Sequence, residues 1–156
     1  MKFHFSPVRL PVQHVQQQAT GDCLAACAVM AFAYLGLPFD YQKFSRLLRV
    51  RPQFGTPFFN IRELGKLGVT VAYQQRQLTD LYTWLAQGLP CIVGIQTGEL
   101  PYWRHTNVQH AVVVVGMDSD WIYLNDPAFF NAPVQVALGD FDLAWLEQDE
   151  FYAVIT

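Results

Sequence analysis

The sequence predicts an α+β fold in which helices come first and a mostly antiparallel sheet follows. Residues 23–35 form an Ala-rich, uniformly apolar stretch typical of a buried helix, and the strongest strand-like apolar runs lie after residue 90. With 156 residues, 52% of them hydrophobic, the chain is long enough to bury a substantial core. No repeat or linker divides it, so we expect a single domain over residues 1–156.

The first residues are predicted to form an extended arm that leads to the central helix. Prolines limit regular structure in residues 1–16 to one edge strand. Asp22 is a residue type that caps helices and Gly36 is a typical stop, so together they bound a helix over 23–35. Because this helix is apolar on nearly every side, we expect it at the centre of the fold.

Further elements are indicated by caps, glycine stops and alternating hydrophobicity. Between residues 40 and 88 they are a helix over 40–50 capped by Asp40, a helix from Thr56-Pro57 to Gly65 or Gly68, a strand over Val69–Gln74 and a helix from Thr79-Asp80 to Gly88. After residue 90 they are strands over 91–97, 110–117, 121–126 and 134–138, a short helix capped by Asp140 and a closing strand over 151–156. A long loop, 98–108, follows the first of these strands.

Composition excludes several classes of protein. The net charge is −3 and the 10 basic residues are scattered, which argues against a nucleic-acid partner. The longest apolar runs fall short of the about 20 residues that a transmembrane helix needs, and the first residues lack the apolar core of a signal peptide. We therefore expect a cytoplasmic protein with reduced thiols, no transmembrane segment and no metal or other cofactor.

Three cysteines raise the question of which thiol is reactive. Backbone N–H groups at the start of a helix favour a thiolate, and Cys23 lies at that position. Cys27 lies one turn further into the apolar helix and Cys91 opens an apolar strand, so both are interpreted as small buried hydrophobic residues. Cys23 is the candidate nucleophile.

A nucleophilic cysteine needs a base and a group that orients the base. His110 opens one strand and Asp126 ends the next, with a turn proposed at residues 118–120. If the two strands form an antiparallel hairpin centred on residue 118, His110 and Asp126 lie directly opposite each other on one face, with Cβ atoms roughly 5 Å apart. Gln17, six residues before Cys23, is a candidate donor to an oxyanion, together with the Cys23 backbone N–H.

These residues resemble a known family. The segment QQATGDCLAAC is similar to the nucleophile motif of bacteriocin-processing, papain-like cysteine peptidases, the double-glycine leader peptidases. HAVVVVGMDSDWIYLNDPA resembles the family's His strand, hairpin and Asn-Asp-Pro, and FDLAWLEQDEFYAVI its usual end. The resemblance extends over nearly all of residues 10–156.

The resemblance implies a papain-like fold with Cys23 as nucleophile, His110 as base, Asp126 as the orienting group and Gln17 in the oxyanion hole. It also implies a peptide or protein substrate, cut after small residues of Gly-Gly or Gly-Ala type in a leader or precursor. Leu24 stands where the family usually has Gly, which predicts a bulkier wall beside the nucleophile. No transporter follows the domain, so we expect a stand-alone enzyme whose partner protein in the same pathway is unknown.

The loop 98–108 precedes His110 and contains Tyr102 and Trp103, so these two aromatic residues and Leu24 are candidates for substrate binding. Three other readings stay open. The same Cys-His-Asp chemistry serves acyl transferases and amidohydrolases, and a degenerate relative would bind peptides without cutting them. A metal site built from Cys23, Cys27 and a histidine is disfavoured, since two cysteines at i, i+4 lack zinc-ribbon spacing.

Overall fold

In a computed structural model, which describes residues 3–156, helices and strands have the predicted order. Within these residues the α-helices are α1 (Cys23–Tyr34), α2 (Tyr41–Leu47), α3 (Leu78–Ala86) and α4 (Leu138–Leu146). The strands are β1 (Val8–Arg9), β2 (Val71–Gln75), β3 (Cys91–Gln96), β4 (Gln109–Met117), β5 (Trp121–Asn125), β6 (Val134–Ala137) and β7 (Phe151–Ile155). Short 3-10 segments cover Phe58–Leu67, Thr97–Glu99 and Pro101–Trp103.

The described strands form one antiparallel sheet in the order β2-β7-β3-β4-β5-β6. Strand β1, in the predicted extended arm, pairs with the end of β4 through Val8 and Arg9. The closing strand of the chain therefore lies inside the sheet, between β2 and β3. This arrangement confirms the predicted α+β class.

Strand β4 is apolar along almost its whole length because both faces of the sheet are covered there. Ala111, Val113 and Val115 pack in the core that contains α1, whereas Val112 and Val114 pack in the core that contains α3 and α4. Helix α1 is central, as predicted, with every residue from Leu24 to Phe32 buried. A strand and a helix enclosed in this way gain stability from apolar side chains on all sides.

Several boundaries and caps differ from the sequence prediction. The segment expected to begin with Thr56 as cap is a 3-10 helix with Pro57 at the cap position. The Thr56 hydroxyl instead donates to the Leu48 carbonyl and accepts from the Asn60 side-chain amide. The 3-10 helix ends at Gly68, whose φ of 89° requires the left-handed conformation that glycine adopts without strain. Asp140 lies in the first turn of α4 and does not cap it, since β6 runs directly into the helix.

None of the helices within residues 3–156 has the length and apolar character needed to cross a membrane.

Candidate active site

Cys23 is the first residue of α1 and is the partly exposed cysteine of the three. Asp22 occupies the N-cap position, but its side chain does not cap the helix. Its Oδ2 instead accepts a hydrogen bond from the Tyr41 hydroxyl at 3.1 Å, which fixes the turn before Cys23 against α2. Cys27 and Cys91 are fully buried, and burial raises the pKa of both thiols. Neither is poised to form a thiolate.

The hairpin register differs from the predicted one. Val113 lies opposite Asn125 and Val114 opposite Leu124, but nearer the turn the register shifts by one residue at Val115. Continuing the ladder places Val112 opposite Asp126, so His110 is diagonal to Asp126 and not directly opposite it. The two still share a face, since strand neighbours two residues apart do.

The β-bulge at Val115 decides that shared face. The register nearest the turn pairs Gly116 with Tyr123, and without the bulge it would place Val113 opposite Asp126. The carboxyl group would then lie on the other face from His110, because a slip of one residue reverses the facing of every side chain.

Asp126 is fully buried and both of its carboxyl oxygens are engaged. Oδ1 accepts from His110 Nε2 at 2.6 Å and from the Ala128 backbone N–H at 2.9 Å. Oδ2 accepts from the Tyr102 hydroxyl at 2.6 Å and from the Trp103 indole at 3.0 Å. The predicted proximity of His110 and Asp126 is therefore observed, within a carboxylate site that is fully satisfied by donors.

The electrostatics of the pair follow from these contacts. Burial alone lowers the pKa of His110, but the hydrogen bond to Asp126 and the neighbouring Cys23 side chain outweigh it and raise the pKa to about 9. Burial raises the pKa of Asp126, whereas hydrogen bonds from His110, Tyr102 and the Ala128 backbone hold it below its ordinary value. The site favours an ionised carboxylate beside a protonated imidazole. Because Nε2 is occupied by Asp126, Nδ1 is the nitrogen left for Cys23.

Gln17 lies in the same cleft as Cys23 and His110. Its backbone N–H donates to the Pro127 carbonyl at 2.8 Å, which ties this segment to the residue after Asp126. Its side-chain Nε2 donates to the Ala19 carbonyl at 3.1 Å, and its Oε1 is enclosed without a hydrogen-bond partner among residues 3–156. One of the two amide hydrogens thus remains for another acceptor.

The cleft has a volume of about 600 Å³. Its lining includes Cys23, Gln17, Trp103, Val108 and His110. Among the described lining residues there is no Asp, Glu, Lys or Arg. Such a cleft suits an uncharged stretch of peptide. Within residues 3–156, moreover, no three His, Cys, Asp or Glu side chains cluster in a way that would hold a metal ion.

The three residues expected to bind substrate have different surroundings. Leu24 borders the cleft but is only 2% exposed, so most of its side chain belongs to the core. Trp103 borders the cleft and also bonds to Asp126. Tyr102 is not among the described lining residues, and its hydroxyl is directed at Asp126. The structure thus gives no support to the expectation that Tyr102 binds substrate.

Sequence reasoning missed the contacts around Asp126. The donors Tyr102 and Trp103 lie in a loop without periodic pattern, 24 and 23 residues before their acceptor. His14, in the N-terminal arm, contacts the Asp126 carbonyl at 2.8 Å, a position that no sequence motif indicates.

A cysteine at the start of a central helix, facing a histidine bound to a buried aspartate on an antiparallel sheet, defines a papain-like peptidase domain. The family model described as the Peptidase_C39 like family matches residues 9–150, and the chain belongs to this family of peptidases. Among curated proteins, none matches the sequence.

Solved structures agree with this fold. A C39-like peptidase from Bacillus anthracis superimposes with a TM-score of 0.81 at 17% identity, over 97% of this chain and 98% of that one. The peptidase domain of Streptococcus ComA, a bifunctional ABC transporter involved in quorum sensing, gives 0.75 at 20% identity over 93% and 98%. A double-glycine-motif protease from an AMS/PCAT transporter, in complex with its leader peptide, gives 0.70 at 20% identity over 96% of each chain.

Proposed function

We propose that this chain is a cysteine peptidase in which Cys23 is the nucleophile, His110 the acid and base, and Asp126 the group that orients the imidazole. The observation that carries the proposal is the bond from His110 Nε2 to the buried Asp126, in a cleft that His110 shares with Cys23. That bond fixes the ring and leaves Nδ1 to exchange a proton with the thiol.

The reaction divides into two steps. The Cys23 sulfur bonds to the carbonyl carbon of the scissile peptide, while His110 holds the thiol proton and passes it to the amide nitrogen as the C–N bond breaks. Water then adds to the thioester carbon and gives its proton to His110. The C–S bond breaks, and the thiolate and imidazolium are restored.

The proposed oxyanion donors are the Gln17 side chain and the Cys23 backbone N–H. The Gln17 amide has one hydrogen bonded to Ala19 and one available, and its backbone is tied to Pro127 beside Asp126. Donors held in place before the reaction stabilise the developing charge without reorganisation.

For the substrate, we propose a leader or precursor peptide cut after small residues of Gly-Gly or Gly-Ala type. The cleft is bordered by Phe58 and Trp103, its lining includes no Asp, Glu, Lys or Arg among the described residues, and Gly94 has no side chain where a Cβ would come within 3.1 Å of Phe58. A similar fold is seen in the protease with a double-glycine motif that was solved with its leader peptide.

The test uses pairs of synthetic peptides that differ only in the two residues before the intended cut, Gly-Gly or Gly-Ala against Leu-Leu. Mass spectrometry of the products should reveal cleavage after the small pair, and Cys23→Ala should abolish it with an unchanged circular dichroism spectrum. Added hydroxylamine distinguishes the alternatives, because an acyl transferase would form the hydroxamate in preference to the acid. Full activity of Cys23→Ala would overturn the proposal.

A further inference from the structure

The loop between β3 and β4 contributes two aromatic donors to Asp126. We propose that Tyr102 and Trp103 are positioning residues, which hold the Asp126 carboxylate so that Oδ1 faces His110; this rests on the proposed function. Both donors bind the same oxygen, Oδ2, at 2.6 and 3.0 Å. Because Oδ1 is shared by His110 and the Ala128 backbone, rotation of the carboxyl group would break hydrogen bonds at both oxygens.

The loop that carries the donors is itself fixed. Thr97 is fully buried at its base; its hydroxyl donates to the Thr106 carbonyl at 2.7 Å and accepts from the Val108 backbone at 2.9 Å. These bonds close the loop across nine and eleven residues respectively. The loop therefore presents its aromatic side chains from a defined backbone and not from a freely moving segment.

Aromatic packing completes the arrangement. Phe129 follows Asp126 by three residues and packs edge-on against the Tyr102 and Trp103 rings, with centroid distances of 5.2 and 5.1 Å. Trp103 also packs edge-on against the His110 ring at 4.9 Å. The same side chains thus enclose both members of the His110–Asp126 pair, and exclude water that would otherwise compete for the carboxylate.

Protonation supports the assignment. Burial, followed by the charge of Asp126, raises the pKa of Tyr102, so its hydroxyl stays a donor across the working pH range. Among the described residues, the titratable groups that face Asp126 are His110, Tyr102, His14 at its carbonyl, and Cys27, whose pKa the Asp126 charge helps to raise. Of these groups, Tyr102 offers the most conservative substitution, because Tyr102→Phe removes the donor and keeps the packed ring.

The test compares Tyr102→Phe with Tyr123→Phe. Tyr123 is a matched control because its hydroxyl also donates to an aspartate, Asp118 Oδ2 at 3.3 Å, near the turn at the opposite end of the same hairpin. The readout is the rate of Cys23 alkylation by iodoacetamide across pH 5–9, followed by mass spectrometry of the cysteine peptides. It requires no substrate.

Tyr102→Phe removes one hydrogen bond that holds the Asp126 carboxylate in place, so the His110 imidazolium that favours the Cys23 thiolate is less well stabilised. The pH at which Cys23 alkylation is half-maximal on the acid side should therefore rise by about one unit. Alkylation at pH 6 falls several-fold, and the plateau at high pH is unchanged. Tyr123→Phe follows the wild type. With a cleaved peptide in hand, Tyr102→Phe lowers kcat and leaves KM unchanged, whereas Trp103→Phe changes both because Trp103 also borders the cleft.

The outcomes separate the two proposals. A wild-type Cys23 that reacts no faster at pH 6 than an ordinary thiol would overturn the proposed function, and this inference with it. An activated wild type together with an unshifted Tyr102→Phe profile would overturn the inference alone. If Tyr102→Phe does not fold, Trp103→Phe decides, because it deletes the second donor to the same oxygen; an unshifted profile there has the same consequence.

Discussion

Asp126→Asn is the substitution whose effect can be worked out most fully from the structure. The four groups bonded to the carboxylate are the His110 ring, the Ala128 N–H, the Tyr102 hydroxyl and the Trp103 indole. An asparagine replaces one accepting oxygen by an NH₂ group that only donates. The Ala128 N–H bonds to one oxygen and the Trp103 indole to the other, and neither can accept. Whichever way the amide turns, one buried donor faces the NH₂ group.

The expected cost follows from that orphaned donor. Leaving one buried donor without an acceptor costs about 1–3 kcal/mol. A domain of this size loses about 2–4 °C of melting temperature per kcal/mol, so we expect a fall of roughly 2–12 °C. Turnover should also fall by about 10²–10⁴-fold, the range that general acid–base catalysis contributes, because His110 loses its orienting anion.

The assay is thermal unfolding at pH 7, with Asp118→Asn as the control on the same hairpin. Asp118 Oδ1 accepts from the Asp120 and Trp121 backbone, and its Oδ2 faces the Tyr123 hydroxyl, which can accept from an amide. Asparagine therefore satisfies the control site, and its melting temperature should change little. Equal melting temperatures of the two variants would refute the reasoning that Asp126 is surrounded by donors, two of which cannot accept a hydrogen bond from an amide.

Three further predictions follow from the site. Gln17→Ala should lower kcat at least tenfold in a peptide-cleavage assay, since an oxyanion donor contributes about 10²–10³-fold in known cases. The control Gln16→Ala, at an exposed position, should match the wild type. A Gln17→Ala rate equal to the wild-type rate would mean that Gln17 is not an oxyanion donor. The free energy of unfolding, measured with urea, should fall as pH rises from 6.5 to about 9, because the pKa of His110 is raised in the folded protein and its stabilising proton is lost over that range. His110→Gln should reduce this dependence on pH, and an identical slope in the variant would contradict the assignment. Gly94→Ala should lower the cleavage rate of Gly-Gly peptides and leave the fold intact, because its Cβ would lie 3.1 Å from the Phe58 ring and displace it into the cleft; a peptide rate equal to the wild type would mean that this wall does not contact substrate.

Some features of the site can be predicted from the sequence because they depend on local pattern. The central helix follows from an uninterrupted apolar, Ala-rich run, and its start at Cys23 follows from the polar loop before it. Strand periodicity predicts His110 and Asp126 on one face, but the predicted direct opposition was wrong by two residues, and the shared face depends on the bulge at Val115. The sequence predicts a helical segment around Phe58–Leu67 but neither its 3-10 form nor Pro57 at its cap position, because Thr56 bonds to Leu48 and Asn60 elsewhere in the fold.

By itself, the sequence determined the fold class and the position of a thiol at a helix start, and it indicated which histidine and which aspartate lie on neighbouring strands. Only the tertiary structure decided the bulge at Val115, the closure of the loop by Thr97 and the donation from Tyr102 and Trp103 to Asp126. The physical reason is that periodicity and burial are properties of neighbouring residues. Strand register and loop contacts depend instead on the combined fit of segments far apart in the chain, which no local pattern specifies.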